Sequence, residues 1–599
     1  MNLQGNRRTV MHVAVLVCLC GLVQVVVVSR ATVASIDAVR FVQIARQIDA
    51  VGFFQTVRGE GEQPLFPLAV CATHGLLRSL AGESPSLWAT SAQATAALGL
   101  MLAVVPVYLI ARRLVGPTGG LIAGVFFCVL PEVARLGADG ISDSTHLLFF
   151  ALAFWGVLEF FRSDNVLSML AAGAAVGLAL LTRVEAIVLL PAIVAILVFC
   201  QLRNETCRPW VKLLAAGGAL TLGLAIVLGP YLIAVGPDGP HDSALANAGL
   251  RIMGRWHPPS METQTTNARA ADWLLPNDDN SAWQMANGRR VAFGVKEPDA
   301  SIRRRGYVAA AGQFVAELAD ASGYVIGALS LLGLVHLWRL GRLRLHQPEL
   351  LAAAFCLLFA LAVIRFTAAE GYMNARHLLL LVVIAIGPSG VAAMAISHRI
   401  KRAGNFFKKG RIEAGRAKLL LSHKPHPAQQ ELRPPQILSQ RAAKPLWGLV
   451  TFVVAICLIT TLRPLHAGRA AHRHAGQWLA TAAHSGVVLD TKGWTDLYSA
   501  RTTFQYDQAQ ETFADGRLAY VVVQHADLQS SSDRARTLRF LLNAAAEPAV
   551  SFAGREGRPD HRSSVTVYRW HPERFRRLIA NQQVKISNTA LPFRSKGEI

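Results

Sequence analysis

RRTVMHVAVLVCLCGLVQVVVVSRATVASIDAVRFVQIA, residues 7–45, decides how the rest of the chain is read. Two arginines precede a predominantly apolar run over residues 10–28. Crossing a bilayer takes roughly 20 such residues. The apolar core of a cleaved signal peptide is shorter and ends in a small-residue site. The run therefore predicts a retained signal anchor, with cleavage after Ala31 or Ala34 as the alternative. Behind it, Val39, Phe41, Val42, Ile44, Ala45 and Ile48 predict a helix with a broad apolar face, lying along the membrane surface.

The same apolar character returns in residues 92–110, 119–134, 145–161, 166–181, 186–202, 213–235, 324–338, 350–364, 378–396 and 446–462, giving about 11 crossings with the first. Composition agrees. Of 599 residues, 52% are apolar and only 16% charged, with a mean hydropathy of +0.34. Soluble domains average about a quarter charged. The expected fold class is a polytopic α-helical membrane protein.

Charge sets the expected orientation. With the N-terminus in the cytosol, the short inside connections hold Arg112 and Arg113, Arg162, the Arg203, Arg208 and Lys212 group, and the Arg339, Arg342 and Arg344 group. Residues 399–444, also inside, carry twelve Lys/Arg against Glu413 and Glu431. Such sidedness is the positive-inside pattern. The 399–444 segment reads as a flexible basic loop suited to anionic lipid headgroups. An odd number of spans puts the tail outside. The membrane domain is thus expected over residues 1–462, with outer loops at 31–91 and 236–317. A multi-pass protein of a membrane such as the bacterial inner membrane results.

From residue 463 the character changes. A short helix at 475–483, strands at 487–490, 520–524 and 565–568, and a helix between Asp533 and Ala545 predict a small α/β domain over 463–599, outside the cytosol. Its Trp494, Tyr498 and Tyr506 suggest contact with an acceptor. The net charge of +22 clusters beside apolar runs, which argues against nucleic acid as a partner. Six of the eight cysteines lie in or beside apolar runs, and no CxxC pair is present, so they read as small hydrophobes.

Carboxylates near spans are the first candidates for chemistry, because charge there is costly. Asp37 stands at or near the start of the amphipathic helix and reads either as a functional acid or as an N-cap. Glu60 and Glu62 precede Pro64-Leu-Phe-Pro67, which opens a helix. Asp139 and Asp143 share a face if their connection is helical; the alternative is a helix start capped by Ser142 or Asp143. Arg183, in Thr182-Arg-Val-Glu185, and Arg376, in Asn374-Ala-Arg-His377, lie on the side where arginine is disfavoured. Each is either paired with a carboxylate or kept to grip a phosphate. No Walker A loop, GxSxG, HExxH or dinucleotide fingerprint accompanies them. Carboxylates and arginines gathered on one side suit general-base chemistry on a hydroxyl and capture of a phosphate leaving group.

The order of these segments resembles the GT-C superfamily of membrane glycosyltransferases, in particular the branch of protein O-mannosyltransferases and the lipid A aminoarabinose transferase. SIDAVRFVQIA with Asp37 resembles the family's acidic position in the first outer loop. Glu62-Gln-Pro64-Leu-Phe-Pro67 resembles its acid-and-proline segment but departs from the usual Lys-Pro-Pro. ISDSTHLLF with Asp143, LALLTRVEAIVLLP with Arg183 and NARHLLLLVVIA with Arg376 resemble three later segments. The resemblance spans about residues 10–396 and loosely the tail. It implies transfer of a sugar from a polyprenyl-phosphate-sugar donor to a glycan, lipid or protein acceptor, with Asp37 as catalytic base. Some relatives hold a divalent metal near the acid matching Glu62; a partner ligand is not identifiable here, so a metal stays open. A transporter would place polar residues mid-span at broken helices, whereas most spans here are clean. A scaffold that only displays the tail would leave the acids of the first loop unexplained.

Overall fold

The structure is a computed structural model, and it describes residues 3–59, 62–202, 210–235, 283–285, 306–340, 347–370, 373–416, 440–530, 533–554, 563–581 and 584–586. Most of the long loop, 236–282 and 286–305, and the stretch 417–439 of the basic segment lie outside the described residues.

All eleven apolar runs fall on helix. Six helices are long and apolar enough to cross a membrane, or seven if a bent pair is one span, among the described residues. The first helix, α1 (Leu3–Arg30), leads into α2 (Ile36–Val51), α3 (Phe53–Gly59), α4 (Leu65–Ala81) and the long α5 (Leu87–Val129). Helix α5 is two predicted runs joined at Gly116, whose φ of 85° breaks the helix just before Pro117. Next come α6 (Pro131–Asp139), α7 (Asp143–Ser163), α8 (Val166–Leu180), α9 (Leu189–Leu202) and α10 (Trp210–Val235). Helices α11 (Tyr307–Ala321) and α12 (Val325–Arg339) meet at a bend of 103°. The bundle closes with α13 (Gln347–Glu370), α14 (Leu379–Arg416) and α15 (Gln440–Thr461). The start of the basic segment, expected as a flexible loop, continues α14 as helix to Arg416.

Helix α5 packs against α1, α6, α7 and α14, so the central layer of the bundle forms around it. Close helix approach elsewhere depends on small residues. A Cβ at Gly173 of α8 would stand 2.0 Å from the Leu220 carbonyl of α10, and one at Gly223 would stand 2.1 Å from the Leu170 carbonyl.

The tail is a five-stranded sheet in the order β3-β2-β4-β6-β5, built from β2 (Val487–Asp490), β3 (Thr503–Gln505), β4 (Leu518–Gln524), β5 (Ala546–Phe552) and β6 (Val565–Trp570). The pairs β2–β3 and β2–β4 are parallel, and β4–β6 and β5–β6 antiparallel. A separate two-stranded ribbon pairs β1 (Trp283–Met285) with β7 (Val584–Ile586), joining the long loop to the tail.

Two readings of local surface are corrected. The apolar face of α2 does not rest on lipid: Ala38, Val39, Val42 and Ala45 are fully buried against Phe66 and Val70 of α4, Ala92 and Ala96 of α5, and Trp494, Leu497 and Tyr498 of the tail. Trp494 and Tyr498 are therefore buried between bundle and sheet, and Tyr506 sits in the sheet's own core, so none of the three offers a ring to an acceptor.

Candidate active site

Four local features place the charged side chains. Residues 31–35 leave the helix with a bend at 32–33, Ser35 takes the N-cap position of α2 in an extended conformation, and Asp37 falls in the first turn. Asp37 is thus not the cap; its carboxylate, which the positive helix N-terminus favours, is left for another partner. Gly140, with φ of 66°, ends α6 in the left-handed conformation, and α7 restarts at Asp143. That break puts Asp139 and Asp143 on different helices, so they do not share a face. Asp139 contacts His466 Nε2 at 2.7 Å, while Asp143 turns into the bundle and is buried. After α8, Leu181 and Thr182 turn the chain, and Arg183 is extended. Before α14, the Asn374 side chain accepts from the Arg376 amide at 3.3 Å and starts a short 3₁₀ turn (Ala375–Leu378).

These features converge. Arg376 Nη1 donates to Asp37 Oδ2 at 2.5 Å. Arg183 Nη1 donates to Asp143 Oδ2 at 2.7 Å, and its Nη2 to Glu185 Oε1 at 2.7 Å. Arg183, Arg376, Asp143, Glu185, His146 and His377 line one cleft, closed on its apolar side by Leu147, Leu379 and Leu380. The space between these side chains is about 260 Å³, part of it open to solvent.

The two arginines differ. Burial by itself would lower the Arg183 pKa, but Asp143 and Glu185 outweigh it and hold the guanidinium more firmly charged than usual. Burial likewise pushes Glu185 up, and Arg183 more than reverses this, keeping its carboxyl below the usual carboxylate range. Arg183 is thus balanced by two carboxylates. Arg376 contacts one, and its buried Nε has no hydrogen-bond partner. An unfilled buried donor is costly.

His146 and His377 were not singled out in the sequence. The signal for His146 was present, because a residue three after Asp143 shares its helical face. Its Nδ1 lies 3.2 Å from the Ala179 carbonyl and 3.3 Å from Thr182 Oγ1, which assigns the proton to Nδ1 and leaves Nε2 an acceptor, buried and without a hydrogen-bond partner. Asp37 reaches the cleft through Arg376. Glu62 is exposed and does not line it, although the Leu65 amide bonds the Leu181 carbonyl at 3.0 Å and brings that loop beside the Arg183 turn. Among the described residues no three His, Cys, Asp or Glu side chains converge on a metal position, around Glu62 or elsewhere.

Solved structures share this architecture. ArnT from Cupriavidus metallidurans in the apo state superposes with a TM-score of 0.54 at 13% identity, over 95% of this chain and 99% of that one. The chain has the GT-C fold. ArnT bound to undecaprenyl phosphate gives a TM-score of 0.52 at 13% identity, over 94% and 97% of the two chains. The archaeal oligosaccharyltransferase AglB from Archaeoglobus fulgidus, in complex with an inhibitory peptide and a dolichol-phosphate, gives 0.47 at 12% identity, over 90% and 72%. Residues 88–228 match the dolichyl-phosphate-mannose-protein mannosyltransferase family. That match includes Asp143 and Arg183. No curated protein sequence matches the chain. The GT-C fold and the apolar helices make it an integral membrane protein.

Proposed function

We propose that this GT-C chain transfers a sugar from a polyprenyl-phosphate-sugar donor to a hydroxyl of a glycan, lipid or protein acceptor. The observation that carries the proposal is the Asp37–Arg376 pair opening onto the cleft of Arg183 and Asp143. The donor phosphate would lie against the Arg376 guanidinium at the cleft, with the polyprenyl chain in the bilayer. The Asp37 carboxylate accepts the proton of the attacking hydroxyl. The acceptor oxygen bonds to the sugar's anomeric carbon as the bond from that carbon to the phosphate oxygen breaks. The electron pair leaves with the phosphate, whose charge Arg376 stabilises. Arg183, held by two carboxylates, fixes Asp143 at the cleft wall.

The charge pattern supports an arrangement with the N-terminus in the cytosol and the site and tail outside, in a membrane such as the bacterial inner membrane. It also supports a division at about residue 462 between the catalytic bundle and the tail domain. The undecaprenyl phosphate bound by ArnT supports a lipid-phosphate carrier. The decisive experiment follows the lipid-linked sugars of a deletion strain by mass spectrometry. One polyprenyl-phosphate-sugar should accumulate while one glycan loses a sugar, and wild type but not Asp37→Asn should reverse both. Unchanged lipid-linked sugars and glycans in the deletion strain would end the proposal.

A further inference from the structure

Residues 31–35, which carry the chain from α1 to Asp37, are held in large part from the tail. The Ala34 carbonyl accepts from Trp494 Nε1 at 3.2 Å, and the Ala34 amide donates to Tyr498 Oη at 3.2 Å. Both backbone groups of this one residue are thus taken by side chains about 460 positions away. The Thr32 amide donates to the Leu465 carbonyl at 3.1 Å. The Ser35 amide donates to the Asp139 carbonyl at 3.0 Å, and the Asp139 side chain meets His466 of the tail. Farther along α2, Arg46 donates to Asp496 Oδ1 and to the Asp496 carbonyl, each at 3.0 Å. One loop and the short helical turn that follows it, residues 494–498, therefore hold α2 just before its start and again at Arg46.

That loop is itself fixed. Asp490, at the end of β2 and fully buried, accepts from the Lys492 amide at 2.9 Å, from the Thr495 amide at 2.8 Å and from Thr495 Oγ1 at 2.7 Å. Gly493, with φ of 80°, permits the turn between them. The end of β2, an inner strand, thus presents Trp494 and Tyr498 on a segment tied down by these bonds.

We propose that Trp494 and Tyr498 are positioning residues: by holding both backbone groups of Ala34 they fix the direction in which α2 starts, and so the position of Asp37 against Arg376. The idea rests on the reading of Asp37 as the base only for its effect on rate, not for its effect on structure. It makes the tail a part of the active site's architecture, since a shift of the segment after β2 would move the Asp37–Arg376 pair.

The test uses the full-length protein in detergent. Tyr498→Phe removes one hydroxyl and keeps the ring; Trp494→Phe removes the N–H and keeps an aromatic in the pocket. Hydrogen exchange should rise about tenfold over residues 31–39 in either variant and stay unchanged in β2 and β4. Transfer from the polyprenyl-phosphate-sugar fraction of the source membrane should lose about tenfold in maximal rate, with the half-saturating donor concentration unchanged. Added to Asp37→Asn, Tyr498→Phe should cost nothing more. Unaltered exchange over residues 31–39 in both variants overturns the proposal, as does an equal loss of rate with and without the Asp37 carboxylate. If Asp37→Asn alone keeps full transfer, the assignment of the base fails, while raised exchange still supports the clamp.

Discussion

Arg376 lies 339 residues after Asp37 in the chain, and its Nη1 donates to the Asp37 carboxylate. The pair joins the first turn of α2 to the 3₁₀ turn before α14, and thereby joins an acid to a cleft that two arginines line.

If Asp37 serves as base, Asp37→Asn removes the proton acceptor and keeps a side chain of the same shape. Transfer should fall by about 10²-fold or more, as expected for loss of general-base assistance, with expression and melting temperature retained. Near-native transfer by Asp37→Asn would move the role to Asp143, a carboxylate that lines the cleft.

The pair itself should matter little to stability. Its side chains are 29% and 40% exposed, and exposed ion pairs are worth about 0–1 kcal/mol. Arg376→Ala should therefore melt close to wild type while weakening affinity for undecaprenyl phosphate, read by calorimetry or a binding assay. Arg376→Lys should recover only part of it, because the planar fork is lost. Unchanged affinity in Arg376→Ala removes the phosphate assignment.

Arg183 should behave in the opposite way. Removing it strands Asp143 and Glu185, and breaking a buried pair costs about 3–5 kcal/mol. Arg183→Ala should lower the melting temperature far more than Arg376→Ala in parallel scans of detergent-solubilised protein.

The tail's stability should depend on acidity through His472. Burial, the largest influence, lowers its pKa; Asp490 and Asp527 partly oppose this, and Lys492 adds to it. A lowered pKa means the folded state binds fewer protons than the unfolded one just below about pH 6.5. The stabilisation is full above that pH and is lost as pH falls through it. Melting followed from pH 7.5 to 5 should show the decline, and His472→Gln should flatten it.

Orientation can be read with a reporter active only after export. Fused after Ile599 it should be active, and fused within residues 399–416 it should be silent. A silent tail fusion would reverse the proposed sidedness of the site.

What the sequence determined by itself was local. A run of apolar residues long enough to cross lipid makes a helix wherever it occurs, because backbone groups in hydrocarbon have few other partners. Arginines clustered at the ends of those runs carry the expected sidedness. Charges kept near spans against their cost marked Asp37, Asp143, Arg183 and Arg376 as worth attention, and the strands at 487–490, 520–524 and 565–568 were readable from their β-branched and aromatic content. Tertiary structure alone decided who meets whom. That Arg376 takes Asp37, that Arg183 is shared by Asp143 and Glu185, and that Gly140 parts Asp139 from Asp143 depend on which helix faces pack together. The same is true of Trp494 and Tyr498: as residues in a sequence they are aromatic rings free to meet an acceptor. Only the packing of the sheet on α2 buries them, because hydrophobic burial rewards any apolar partner, and the choice among partners is made by shape over distances the sequence does not encode locally.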